Sequence, residues 1–141
     1  MSNKRWEFTG DTKICFGITL KRIRAAIDFE LKCGIVIHKG ELGGWIEKES
    51  NLSDNAWVSD NAMVSGNARV ESSKDYCVYK NTWSSFRWFT YTRSNKMWKA
   101  GCFHGTGAEL IAKAYKDSEK SGKCYEAVVK AQEEIEKVME V

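Results

Sequence analysis

Between Trp83 and Phe103 the chain interleaves rings with cations: Trp83, Phe86, Trp88, Phe89, Tyr91, Trp98 and Phe103 alternate with Arg87, Arg93, Lys96 and Lys99. In an extended strand, successive side chains point to opposite faces, so Phe86, Trp88, Thr90 and Thr92 share one side. Arg87, Phe89, Tyr91 and Arg93 share the other. Flat rings beside guanidinium groups have the composition of a stacking surface, in which rings hold a base and Arg holds phosphate. Asn95 and Lys96, in the adjoining turn, would add polar contacts to a base edge or a phosphate. The same residues also suit a core or a subunit interface, since Arg stacks on aromatic rings without any ligand.

Gly105-Thr106-Gly107 precedes a helical pattern and could present backbone amides to an anion, with His104 just before it. Thr106 followed by Glu109 also has the form of a capping box, which explains the threonine without a ligand. The site read from the residues is therefore Arg87, Phe89, Tyr91, Arg93, Asn95, Lys96, His104 and Thr106. It is read as a binding site. His38 and His104 are the only histidines, no carboxylate stands at an orienting spacing, and no metal-ligand pattern is present, so neither catalysis, a cofactor nor a metal is expected.

The elements that must position these residues begin with a repeat. Asn55-Ala-Trp-Val-Ser-Asp, Asn61-Ala-Met-Val-Ser-Gly and Asn67-Ala-Arg-Val-Glu-Ser follow one another, and Ile46, Leu52, Val58, Val64 and Val70 recur at sixfold spacing. Branched aliphatics at that period face a coil interior, Ala fits the turn, and Asn tolerates a left-handed corner. Three such units make one triangular turn of a left-handed parallel β-helix. With about one and a half turns, the coil cannot cover its own ends. The first 40 residues are expected to cap one end and a second copy of the chain the other, which predicts a homo-oligomer.

Before the repeat, Trp6 and Phe8, then Ile14, Phe16, Ile18 and Leu20, alternate as strands, with Gly10-Asp11 and Gly17 as bulge or turn points. Ile35-Val-Ile37 reads as a short strand, and the glycines of Gly40-Glu-Leu-Gly-Gly44 allow a tight approach. After Glu71, Tyr76-Cys-Val-Tyr79, the run from Ser85 to Thr92 and the run from Met97 to Phe103 read as an antiparallel meander. A helix follows with Leu110, Ile111, Ala114 and Tyr115 on one face, and Ser121-Gly122 separates it from a last helix. The stripe of that helix (Tyr125, Val128, Val129, Gln132, Ile135, Val138, Met139) would pack on the meander or pair with a second subunit. The fold class is thus mainly β with C-terminal helices (α+β). Residues 1–73 form strands capping a short β-helix-like segment, and 74–141 form the meander and two helices.

Charge is unevenly placed. The net value is only +3, yet Lys74 to Lys99 holds six Lys and Arg against Asp75, while Thr106 to Val141 holds six Lys against eight acids. Such a basic middle would attract phosphate or an acidic partner, although the modest total argues against a general nucleic-acid binder. No apolar run approaches a membrane span and no signal peptide is apparent, so a soluble intracellular protein is expected. Cysteines 15, 33, 77, 102 and 124 form no paired framework and are expected as free thiols.

Three stretches carry a family resemblance: Phe8-Thr-Gly-Asp-Thr-Lys13, Phe16-Gly-Ile-Thr-Leu-Lys-Arg-Ile-Arg24, and Gly40-Glu-Leu-Gly-Gly-Trp-Ile-Glu-Lys-Glu-Ser-Asn-Leu52 leading into the repeats. Over roughly its first half the chain resembles phage and prophage hexapeptide-repeat proteins, whose longer members continue the Asn-Ala-x-Val unit through many coils. The second half, through Tyr91-Thr-Arg-Ser-Asn-Lys96 and Gly101-Cys-Phe-His-Gly-Thr106, is similar to small phage proteins. The resemblance implies an accessory protein of the host cytoplasm that antagonises bacterial defence by binding a signalling nucleotide or a protein or nucleic-acid component. A hexapeptide-type acyltransferase and a structural oligomerisation adaptor are the competing readings. The first would need a histidine base, and none lies between Ile46 and Val70.

Overall fold

A computed structural model describes residues 4–15, 17–31, 34–59, 62–101 and 103–140. Expectations resting on Phe16, Cys33, Asp60, Asn61 and Cys102 lie outside these residues, as does the side chain of Cys15. The protein is mainly β, with two helices at the C-terminal end.

The N-terminal alternation produces β1 (Trp6–Cys15) and β2 (Ile18–Ala25), an antiparallel hairpin whose register slips between Phe8 and Thr12. Gly10 sits in that bulge and Gly17 in the turn, both with positive φ, as the sequence predicts. A minor pair, β3 (Phe29–Glu30) and β4 (Val36–Ile37), leads to β5 (Leu42–Ile46), which pairs antiparallel with β2.

From β5 the repeat takes over. β6 (Met63–Val64) runs parallel to β5 with Ile46 opposite Val64, and a parallel bridge joins Leu52 to Val70. Ile46, Leu52, Val58, Val64 and Val70 are all buried in one cluster with Ala56, Ala62 and Ala68, so the sixfold period does define an interior. Asn51 is buried at a corner, where its amide donates to the carbonyls of Gly66 and Ala68 and its oxygen accepts the Lys48 N–H. The glycine pair permits the close approach: a Cβ on Gly44 would stand 2.4 Å from the Ser59 carbonyl oxygen.

Past the coil, β7 (Tyr76–Lys80), β8 (Trp88–Thr92), β9 (Met97–Ala100) and β10 (Phe103–Gly105) form an antiparallel sheet in the order β10-β9-β8-β7. The N-terminal side of the coil is closed by β2 against β5, by the Trp6 indole N–H on the Ser53 carbonyl and by the Arg5 N–H on Asp54. The opposite side is closed by the chain's own meander rather than by a second copy. The edge N–H of Met63 is taken by the Thr90 hydroxyl at 3.0 Å, that of Arg69 by the Ser94 hydroxyl at 2.7 Å, and Tyr76 and Val78 pack on the coil interior. Side chains thus satisfy a strand edge that would otherwise invite pairing. The reason for expecting an oligomer at that end falls away.

On the far face of the meander lie α1 (Gly107–Asp117) and α2 (Glu119–Met139). Thr106 caps α1 as predicted, its hydroxyl accepting the Glu109 N–H while Glu109 accepts the Thr106 N–H. Ser121 and Gly122 do not separate the helices. Ser118 is the cap that ends one and starts the other, and Gly122 lies inside α2, where a Cβ would come within 2.3 Å of the Tyr115 ring. The glycine serves close helix packing. Phe89, Tyr91, Trp98, Leu110 and Val129 form the core between helices and meander, whereas Ile135, Val138 and Met139 at the end of α2 stay exposed. No helix among the described residues is long and apolar enough to cross a membrane.

Candidate functional site

The face of β8 that the sequence offers as a stacking surface is the face the helices cover. Phe89 and Tyr91 are 1 % and 5 % exposed. Phe89 stacks with Tyr79 at 5.6 Å between ring centroids, and the Tyr91 hydroxyl donates to Glu136 of α2 at 2.7 Å. Burial pushes the Tyr79 phenol up to about 12 and the Tyr91 phenol further, so both remain neutral donors, Tyr79 to Gln132 and Tyr91 to Glu136. Neither ring has a face free for a base.

The cations do not converge either. Arg87 precedes β8 and Arg93 follows it, at opposite ends of the strand. Arg93 lies 3.9 Å from the Glu140 carboxylate, in a hollow shared with Arg69, Glu71 and Asp75. Lys96, with positive φ in the turn, pairs with Glu136 at 3.5 Å, beside Glu133 and Glu140. Asn95 is spent on the turn itself: its oxygen accepts from the Thr92 hydroxyl and the Met97 N–H, and its amide donates to Asn67 of the coil. Thr106 is a helix cap. Of the eight residues, Arg87 and His104 alone line an opening at the edge of the meander.

That opening is a groove of about 680 Å³ between the edge of the meander and the two helices. Leu110, Ala114, Phe103 and Tyr125 give it an apolar floor, and Arg87, Trp88 and Lys113 stand around it with Ser84, Ser85 and Asp117. The loop before β8 is pinned from below. Asn81 is buried, its oxygen accepting the N–H groups of Trp83 and Ser84 and its amide donating to the Tyr125 hydroxyl. Arg87 reaches over the turn at Gly101, where a Cβ would meet its guanidinium at 3.5 Å. Phe86, next to it, holds a positive φ of 58° and is 63 % exposed. A bulky aromatic in that conformation is a backbone outlier of the kind that concentrates at binding sites. Trp88 is half-exposed with the Lys80 ammonium 5.5 Å from its ring.

A second polar cluster lies between the coil and the meander. Lys99 pairs with Thr90 on one side and with His104 on the other, so the three form a row on the coil-facing side of the sheet. The row meets Gly66, whose Cβ position is 2.9 Å from the His104 ring and which directly follows Ser65 in the chain. Glu47 accepts the Gly66 N–H at 2.7 Å. Lys99 is 2 % exposed, and burial followed by the nearby Lys13 charge lowers its affinity for a proton, with Glu47 opposing. Burial and the Lys99 charge likewise hold His104 below its ordinary value. The sequence reading missed Lys99 as a site residue; a lone lysine within an apolar run was its only signal.

Cys77 and Cys124 are free thiols, and no group of metal-ligating side chains occurs among the described residues. Comparison with family models, with curated proteins and with solved structures found no match.

Proposed function

We propose that the chain is a non-enzymatic phage accessory protein that binds a nucleotide-class ligand in the groove between meander and helices. In the host cytoplasm such binding would withdraw a signal from a bacterial defence system. The observation that carries this reading is the convergence of Arg87, Lys113 and the half-exposed Trp88 around an apolar floor in a groove of about 680 Å³. A ring against Trp88 and the floor, with phosphate oxygens on the guanidinium and ammonium, divides a nucleotide between the two chemistries the groove offers. The reading moves the site from the strand face to the sheet edge. It keeps the ligand class and, with it, the inference from the phage resemblance. The coil beneath is read as about one and a half turns of left-handed β-helix serving as a platform.

The test is a titration of the protein with mono-, di- and cyclic nucleotides, followed by tryptophan fluorescence and by thermal shift. Saturable binding should weaken about tenfold or more in Arg87→Ala and in Lys113→Ala, since each removes one charge-assisted contact. No binding by any nucleotide would overturn the reading. The exposed, left-handed Phe86 beside Trp88 favours a second one, in which the same rim grips a protein component. In that case Phe86→Ala would abolish capture of the defence protein and nucleotides would leave the protein unchanged.

A further inference from the structure

Buried polar atoms without a partner are few among the described residues, and three of the four, Ser65 Oγ, Lys99 Nζ and His104 Nε2, belong to the cluster between coil and meander. The register ties them together. His104 is the cross-strand neighbour of Lys99, its ring touches Gly66, and Ser65 is the next residue. All three can donate hydrogen bonds. The one carboxylate within electrostatic reach, Glu47, is engaged by the Gly66 N–H and is not in ion-pair contact with Lys99. Lys13 adds a second cation to Lys99, with its ammonium 4.4 Å from the centroid of the Trp45 ring.

A buried ammonium with no acceptor is costly, and a neighbouring cation adds to the cost. Three groups that can each donate, two from β9 and β10 and one from the residue after β6, none of them hydrogen-bonded to another, are complementary to a negative ion. We propose that Lys99, His104 and Ser65 form an internal site for a small monovalent anion of halide size, which locks the meander to the coil. The Lys99 ammonium supplies the charge, and the serine hydroxyl and imidazole N–H complete the shell. The size class follows from enclosure: the orphaned atoms are sealed from solvent, so a phosphate or an organic anion with its own polar periphery is excluded. This site is separate from the nucleotide reading of the groove, although His104 is also among the residues that line the groove.

The experiment compares chloride with gluconate at matched ionic strength and pH 7. The unfolding midpoint of the intact protein should rise with chloride concentration, as binding to the folded state alone requires. The rise should vanish in Lys99→Met, and chloride should bind about tenfold more weakly to Ser65→Ala. Chloride-35 NMR on the unmodified protein gives a reading that needs no variant: excess line broadening that bromide displaces. Equal midpoints in the two salts, a chloride response retained by Lys99→Met, or the absence of displaceable broadening would each overturn the proposal.

Discussion

At the scale of residues, the fate of the aromatic and basic segment turns on which neighbours each side chain acquires. Phe89 and Trp88 are adjacent in sequence and similar in kind, yet one is in the core and the other on the rim of the groove. Truncating Phe89 to Ala should cost about 3–5 kcal/mol of unfolding free energy by urea denaturation, the range for a large aromatic removed from a packed interior. Trp88→Ala should cost less than about 1 kcal/mol. Comparable losses from the two would contradict the assignment of faces. Within β8 the strand period separated Trp88, Thr90 and Thr92 from Phe89 and Tyr91, but it did not extend to Phe86 and Arg87, which precede the strand and break the alternation at the left-handed Phe86. It could not say which set the helices would cover, because alternation defines two faces and assigns neither. A clue was present: the apolar stripe of Leu110 and Val129 needs an apolar partner, and Phe89, Tyr91 and Trp98 are the candidates, whereas Thr90 and Thr92 are not.

Elements were legible in proportion to how local their cause is. The capping box of Thr106 and Glu109, the bulge at Gly10 and the buried aliphatic stack of the repeat all follow from short-range spacing. Gly122 shows where local reasoning stops. A glycine after a serine reads as a helix break, but here it admits the Tyr115 ring from the neighbouring helix, a contact no sequence window contains. Gly122→Ala should therefore destabilise by about 1–3 kcal/mol despite the better helix propensity of alanine. Adding Tyr115→Ala should recover most of that loss, and a double-mutant cycle measures the coupling. The Lys99, His104 and Ser65 cluster was hidden for the same reason, since it joins two strands of the meander to a corner of the coil.

In the whole molecule the meander is the middle layer, holding the coil on one face and the helices on the other. His104 lies at the seam with the coil, facing Lys99 and Glu47, and this gives stability a specific pH dependence. Its imidazole titrates below the ordinary range when folded and within it when unfolded, so between those values the unfolded chain holds more protons. Stability should then fall as pH drops from about 7 through the ordinary histidine range near 6.5 and level off below the depressed value. Urea midpoints at pH 7.5 and 5.5 in halide-free buffer should show this loss in the native sequence and a smaller one in His104→Gln. An identical loss in both would assign the acid sensitivity to other groups.

The parallel pairing of Ile46 with Val64 and of Leu52 with Val70 fixes a repeat length of eighteen residues between successive layers of the coil. Both caps attach through edges: β2 along β5, and the hydroxyls of Thr90 and Ser94 on the outermost backbone N–H groups. Neither depends on how many layers lie between. An added block of eighteen residues in the Asn-Ala-x-Val rhythm would move the meander and helices outward by one strand spacing, about 4.8 Å. The distance between the N-terminal hairpin and the groove is in that sense a discrete variable, set by copy number in the sequence and independent of the chemistry at either end.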